Sequence, residues 1–237
     1  CLLGLVFAAN GAFAHGGRPV PRKIYVDPAG QLKAVVSSDL GLHVSEDDGA
    51  SWFWICEDIV GFDVVDFGLA GPTGAVAGDR VWLAGGTGIT QELEPVFIPG
   101  LYRSRDGGCN WEPVGGGFGD QWTSGLSVNP AAPNRVVVTT DHTAMSNGIA
   151  VSDDAGTTWT WALEGSPTKL GTLYRSPSDP GVLYATATTS LVRSDDDGAT
   201  WTMVSTDIVE ADFDELAVHA IDPEDPLVVY FSRLGAD

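Results

Sequence analysis

One phrase, written four times, constrains this chain more than any other feature. It appears as "SEDDGASW" from Ser45 to Trp52, "SRDGGCNW" from Ser104 to Trp111, "SDDAGTTW" from Ser152 to Trp159 and "SDDDGATW" from Ser194 to Trp201. The starts lie 59, 48 and 42 residues apart, and the shared rule is Ser-x-Asp-x-Gly-x-(Ser/Thr/Asn)-Trp. Each copy sits between a short apolar run ("GLHV", "GLYR", "GIAV", "SLVR") and a Trp-led run, so it joins two β-strands. The aspartates (Asp47, Asp106, Asp154, Asp196) can accept hydrogen bonds from turn amides that no strand partner satisfies. The glycines (Gly49, Gly108, Gly156, Gly198) can take φ > 0, where a Cβ would clash. The residue before each Trp is placed to tie off another backbone group, and the indole covers the turn with apolar surface.

A calcium loop and a set of catalytic acids are the competing readings. An EF-hand register needs oxygen ligands at positions 1, 3 and 5, Gly at 6 and Glu at 12. Set on Gly198, it puts Arg193 at position 1 and Val204 at position 12, so a cation and an aliphatic side chain stand where carboxylates belong. Acids used once per turn cannot all face one substrate. The phrase is therefore read as a structural hairpin.

The surroundings repeat as well. "IYVDP", "LSVNP", "LYRSP" and "HAIDP" each end a strand in a proline turn and are followed by a second apolar run. One unit is four short strands, with the acidic turn between the third and fourth. Many short strands at this period suit a radial array of sheets. Period-2 alternation with 30 Gly and 14 Pro excludes stacked helical repeats.

The phrase resembles the Asp-box, or BNR, repeat of sialidase-like β-propellers, a group that includes sortilin-type receptors, xyloglucan-cleaving glycosidases and photosystem assembly factors. The resemblance extends from about Arg22 to Gly235. It implies an all-β propeller of four-stranded antiparallel blades, with box aspartates on the face opposite the ligand. The expected units are residues 22–57, 58–115, 116–164, 165–206 and a partial 207–237. A fifth unit with only two strands and no box is expected to belong to a longer, roughly seven-bladed ring. The group's Arg-Ile-Pro signature is missing, with only Phe97-Ile98-Pro99 as an echo. Arg103, Arg105 and Arg193 adjoin boxes and so face away from a ligand.

Composition narrows the partners. The chain of 237 residues carries 32 acidic and 12 basic side chains, a formal charge of -20. Nucleic acid is an unsuitable partner, because phosphate binding needs surplus Lys and Arg. An apolar content of 43% and eight Trp argue for a folded chain rather than a disordered one. Residues 1–14, apolar and ending in Ala12-Phe13-Ala14, look like the remnant of a signal peptide. Residues 15–237 are then the propeller, in a secreted, periplasmic or bacterial cell-surface setting. No later run is long enough to span a bilayer. In an oxidising compartment Cys56 and Cys109 could pair, and two free thiols remain the alternative. No cofactor or metal is expected.

If boxes line one face, recognition belongs to the loops of the other. Those loops carry Glu57, Asp58, Trp122, Asp141, His142, Asp207, Glu210, Asp212 and Asp214 as a possible binding face. A glycosidase would draw two carboxylates from Glu92, Glu94, Asp141 and Asp212, spaced about 5–10 Å apart. Trp54 and Trp161, two residues beyond a box Trp, are expected to pack between blades. The functional expectation is a non-enzymatic scaffold binding a protein or glycan. The alternative is a glycoside hydrolase of the Asp-box propeller type.

Overall fold

The computed structural model describes residues 20–26, 34–38, 41–56, 63–71, 80–87, 100–115, 121–141, 147–166, 169–188, 190–204 and 213–235. Four antiparallel four-stranded sheets follow one another along the chain, each in sequential strand order. Blade 1 holds β1 (Pro21–Val26), β2 (Ala34–Ser38), β3 (Gly41–Ser45) and β4 (Phe53–Cys56). Blade 2 holds β5 (Asp63–Ala70), β6 (Val81–Thr87), β7 (Leu101–Ser104) and β8 (Glu112–Pro113). Blade 3 holds β9 (Thr123–Val128), β10 (Val136–Thr140), β11 (Asn147–Ser152) and β12 (Thr160–Ser166). Blade 4 holds β13 (Leu170–Arg175), β14 (Leu183–Ala187), β15 (Ser190–Ser194) and β16 (Thr202–Val204). β17 (Phe213–Ile221) and β18 (Val229–Gly235) pair into a two-stranded sheet, a partial fifth blade. The sheets form a propeller, with β5 packed on β9 and β9 on β13 along the inner side.

Strand alternation explains the stacking. Successive side chains of a strand point to opposite faces, so a strand buried on both faces serves two neighbours at once. On β10, Val136 and Val138 enter the core shared with blade 2, while Val137 enters the core shared with blade 4. On β6, Trp82 and Ala84 face blade 1, and Val81 and Leu83 face blade 3. Tyr184 and Leu191 of blade 4 meet Leu216 and Val218 of β17. Each such side chain contributes roughly 1.5–3 kcal/mol on leaving water. Two outer strands are short, with two residues in β8 and three in β16, which limits the edge that blades 2 and 4 offer for pairing with other chains.

The box turns lock onto the preceding blade. Gly49 and Gly198 have φ of 84° and 83°, in the left-handed region. A Cβ on Gly198 would stand 2.7 Å from Val137 Cγ2, one on Gly156 3.1 Å from Leu83 Cδ2 and one on Gly108 2.7 Å from Ile55 Cδ1. A Cβ on Gly49 would meet only its own Trp52, at 3.8 Å. Likewise Trp111, Trp159 and Trp201 pack into the cores shared with the blade before them, whereas Trp52 is 46% exposed. No described sheet lies on that side of blade 1. Trp161 packs between blades as expected. Trp54 does not: it is 50% exposed and stacks on His43, with ring centroids 6.5 Å apart. The reason is again the missing neighbour on that face. The proposed Cys56–Cys109 pairing depends on the Cys56 side chain, which lies outside the described residues, as do residues 1–14.

Gly49→Ala and Gly198→Ala separate backbone strain from crowding between blades. Both take the same left-handed φ, so both should lose about 1 kcal/mol. Gly198→Ala should lose a further 1–3 kcal/mol, roughly, against the branched Val137 side chain. Asp195→Ala, which removes only an exposed pair with Arg193, should cost less than about 1 kcal/mol. Denaturant unfolding of the three variants checks that order.

Candidate functional site

At the box end, each of the four box aspartates is engaged by its own turn. Asp106 Oδ1 accepts from Ser104 Oγ at 2.8 Å, Cys109 N at 3.1 Å and Asn110 N at 2.9 Å, and Oδ2 accepts from Asn110 Nδ2 at 2.6 Å. Asp47, Asp154 and Asp196 repeat this with Ser51, Thr158 and Thr200. The residue before Trp therefore binds the aspartate side chain; the expectation that it ties off a backbone group is corrected here. Ser45, Ser104, Ser152 and Ser194 accept from the N–H of the box glycine at 2.8–2.9 Å. The indole Nε1 of Trp52, Trp111, Trp159 and Trp201 donates to that glycine's carbonyl.

A position that sequence reasoning missed lies between the aspartate and the glycine. Asp48, Ala155 and Asp197 have φ of 58°, 56° and 56°, and Gly107 has 72°. The turn thus takes two left-handed residues in succession. Because Asp, Gly and Ala all occupy the site, only the tolerance of Asp, Asn and Gly for that region was available as a signal. In blades 3 and 4 the N–H of this residue bonds the turn between the first two strands, Ala155 to Asn134 O at 2.9 Å and Asp197 to Gly181 O at 2.8 Å.

These bonds stabilise the charged form of each carboxylate. The Asn110 side chain, then its N–H, pull Asp106 down to about 2. Asp47 is lowered chiefly by the Ser51 hydroxyl and Asp196 by the Thr200 hydroxyl. For Asp154 burial is the largest influence and acts upward, but the Thr158 N–H and hydroxyl carry the net shift downward.

The opposite end is built from Gly100 and the connector 121–123. Gly100 N–H donates to Gln121 O at 3.0 Å, and a Cβ there would lie 2.2 Å from the same oxygen and 2.5 Å from Trp122 Cα. Only glycine permits that approach. A Cβ on Gly85 would lie 2.5 Å from Thr123 Cγ2. Asp141 N–H donates to Trp122 O at 3.0 Å, which brings Trp122 and Asp141 together. Trp122 is half-buried. Asp141 Oδ1 is 3.5 Å from Lys169 Nζ, and among the described residues neither it nor the buried Thr123 Oγ1 has a hydrogen-bond partner. Sequence reasoning did not single out Lys169 or Thr123, because neither belongs to a motif.

The other site expectations fall outside the described side chains: Glu57, Asp58, Glu92, Glu94, His142, Asp207, Glu210 and Asp212, with Asp214 described in backbone only. Of the residues flanking the segment that carries Glu92 and Glu94, Gly100 packs on the connector just described. Among the described residues, no group of three or more His, Cys, Asp or Glu could hold a metal ion. No helix among them is long and apolar enough to cross a membrane.

No protein-family model matches the sequence, and no curated protein matches it. Solved structures do match. The chain is similar to an ancestral GH74 enzyme at 15% identity and TM-score 0.65, over 92% of this chain and 28% of that one. It is similar to the GH74 xyloglucanase from Xanthomonas campestris at 20% identity and TM-score 0.61, over 90% of this chain and 35% of that one. YCF48 bound to D1 peptide aligns at 16% identity and TM-score 0.53, over 94% of this chain and 65% of that one. What they share with this chain is the propeller fold. The chain spans about a third of the GH74 structures' length and under two thirds of YCF48's.

Acid should act on the boxes first. Carboxyl groups held below their ordinary value of 3.8 stabilise the fold fully above that pH, and the stabilisation is lost as pH falls through the folded value, about 2 for Asp106. Asp106→Asn should lower the melting temperature at neutral pH, and its gap from the wild type should narrow between pH 3.8 and about 2. Melting curves by circular dichroism across that range test this. A constant gap would mean that the carboxylate's charge has no part in the turn.

Proposed function

We propose that the protein is a polysaccharide-directed propeller that engages a neutral glycan at the end opposite its boxes. The observation that carries this reading is the meeting of Asp141 and Thr123 beside Trp122: among the described residues Asp141 Oδ1 has only its ion pair with Lys169 and Thr123 Oγ1 has no hydrogen-bond partner. Buried polar atoms are ordinarily satisfied, and each exception calls for an explanation, of which a functional role is one. A sugar hydroxyl can donate to the carboxylate and exchange hydrogen bonds with the threonine, while the indole offers an apolar face. A charge of -20 disfavours acidic glycans and leaves neutral ones.

Whether the glycan is only held or also cleaved divides this reading in two. Hydrolysis has the stronger support from likeness, because the two structures with the higher TM-scores are GH74 enzymes, one a xyloglucanase. Holding has the support of YCF48, a propeller bound to a peptide. The acid and base of a hydrolase would come from Asp141, Glu92, Glu94 and Asp212. Xyloglucan and other neutral β-glucans test both at once. Retardation in a polysaccharide gel, weakened at least about fivefold by Asp141→Asn or Trp122→Ala with unchanged melting, is the expected result. Release of reducing ends that disappears in Glu92→Gln or Asp141→Asn would establish the enzyme. No retardation and no release by any neutral glucan would overturn the glycan reading.

We also propose a secreted or surface setting, with Cys56 and Cys109 joined. The two cysteines adjoin residues in close approach, Ile55 and Gly108. Alkylation of unreduced protein should leave both cysteines unlabelled, and labelling of either would reject the bond.

A further inference from the structure

Among the described residues, four other than glycine take a positive φ, and three of them, Asp48, Ala155 and Asp197, occupy the same place in a box. The fourth is Thr188, at 54°, at the opposite end of blade 4. Left-handed backbone suits Gly, Asn and Asp, whereas a β-branched side chain there is an outlier. The link from β14 to β15 is the pair Thr188-Thr189, between the paired residues Ala187 and Ser190. Two-residue hairpin links favour Asn-Gly, Asp-Gly or Gly-Gly, so two β-branched residues stand where the turn suits them least. Departures of this kind from local preference gather at functional sites.

The place of Thr188 in the fold is the second observation. Trp122 immediately precedes β9 and Asp141 immediately follows β10; Lys169 immediately precedes β13 and Thr188 immediately follows β14. The two pairs thus hold the same positions in consecutive blades. Leu170 pairs with Ala187, so Lys169 comes opposite Thr188 one step further along. Asp141 and Lys169 join the two pairs through their 3.5 Å contact. The blades are fastened just beneath. Thr139 Oγ1 donates to Gly171 O at 2.7 Å, and Ser124 Oγ donates to Leu170 O. A Cβ on Gly125 would lie 2.6 Å from Leu173 N, so only glycine lets the strands come this close. Trp122, Asp141, Lys169 and Thr188 therefore form one row on a rigid base, and Thr188 is exposed on it.

We propose that Thr188 is a specificity-determining contact for a neutral glycan chain that runs from blade 3 onto blade 4. This rests on the glycan reading above and extends it from a single sugar to an oligosaccharide. The threonine hydroxyl can donate to or accept from a sugar hydroxyl, and its methyl group can lie against the apolar C–H face of a sugar ring. Glycine would relax the turn and remove both groups.

Titration calorimetry with cellobiose and cellohexaose, alongside melting curves, tests this contact. Thr188→Gly should melt at an unchanged temperature or up to about 4 °C higher, because the left-handed backbone no longer carries a β-branched side chain. It should bind cellohexaose at least about fivefold more weakly than the wild type, while its affinity for cellobiose stays within about twofold. Thr188→Ser, which restores the hydroxyl, should recover most of the lost affinity. Equal cellohexaose binding by Thr188→Gly and the wild type, a lower melting temperature of Thr188→Gly, or an equal loss for the two sugars would each overturn the contact. Asp141→Asn separates this result from failure of the glycan reading itself. If cellohexaose binding is lost in Asp141→Asn but intact in Thr188→Gly, the role of Thr188 alone falls; if the wild type binds no neutral glucan, both fall.

Discussion

A sheet that is apolar on both faces cannot stand in water alone, and this requirement organises the whole molecule. β10 and β11 are buried along their full length, so blade 3 exists only between two neighbours. Alternation along each strand distributes side chains to the blade before and the blade after, and the chain is a series of shared cores rather than one core. Blade 1 shows the converse. Its far side keeps Ile24, Val26, Trp52 and Trp54 exposed, the residue types that elsewhere meet another sheet.

Polar groups then fix the blades in register at both the box end and the axis. Asp66 is buried on β5, and its carboxylate takes Lys23 Nζ from blade 1, Leu126 N–H from blade 3 and its neighbour Phe67 N–H. One side chain thus joins three blades, and with every bond made it avoids the cost of an unpaired buried charge. Around the box of blade 4, Asn129 and Arg135 of the third blade and Arg175 of the fourth all converge on Asp197. Arg103 and Arg105 reach from the second box to Gly156 and Thr157 of the third.

The blades themselves were legible because their rule is local. A turn of eight residues fixes its hydrogen bonds within itself, so reading Asp106 beside Asn110 was enough to place a hairpin. Asp197 was not legible as a link between blades, since its partners Asn129, Arg135 and Arg175 are 68, 62 and 22 residues away. Trp54 and Trp161 occupy equivalent places in sequence yet differ in surroundings, because exposure depends on whether a sheet lies opposite. The pairing of Trp122 with Asp141 had a visible basis in the loops, whereas Thr123 and Lys169 gave no sign.

Connection lengths show where this architecture admits change. Seven residues separate β1 from β2, β9 from β10, β13 from β14 and β17 from β18, all at the box end. At the other end, the link between second and third strands is two residues in blades 1 and 4, six in blade 3 and thirteen in blade 2. The box end varies less, the one departure from seven among these links being the ten residues between β5 and β6. The link between Thr140 and Asn147 is therefore a natural place to graft foreign sequence, and libraries displayed there would inherit a frame whose cohesion resides elsewhere.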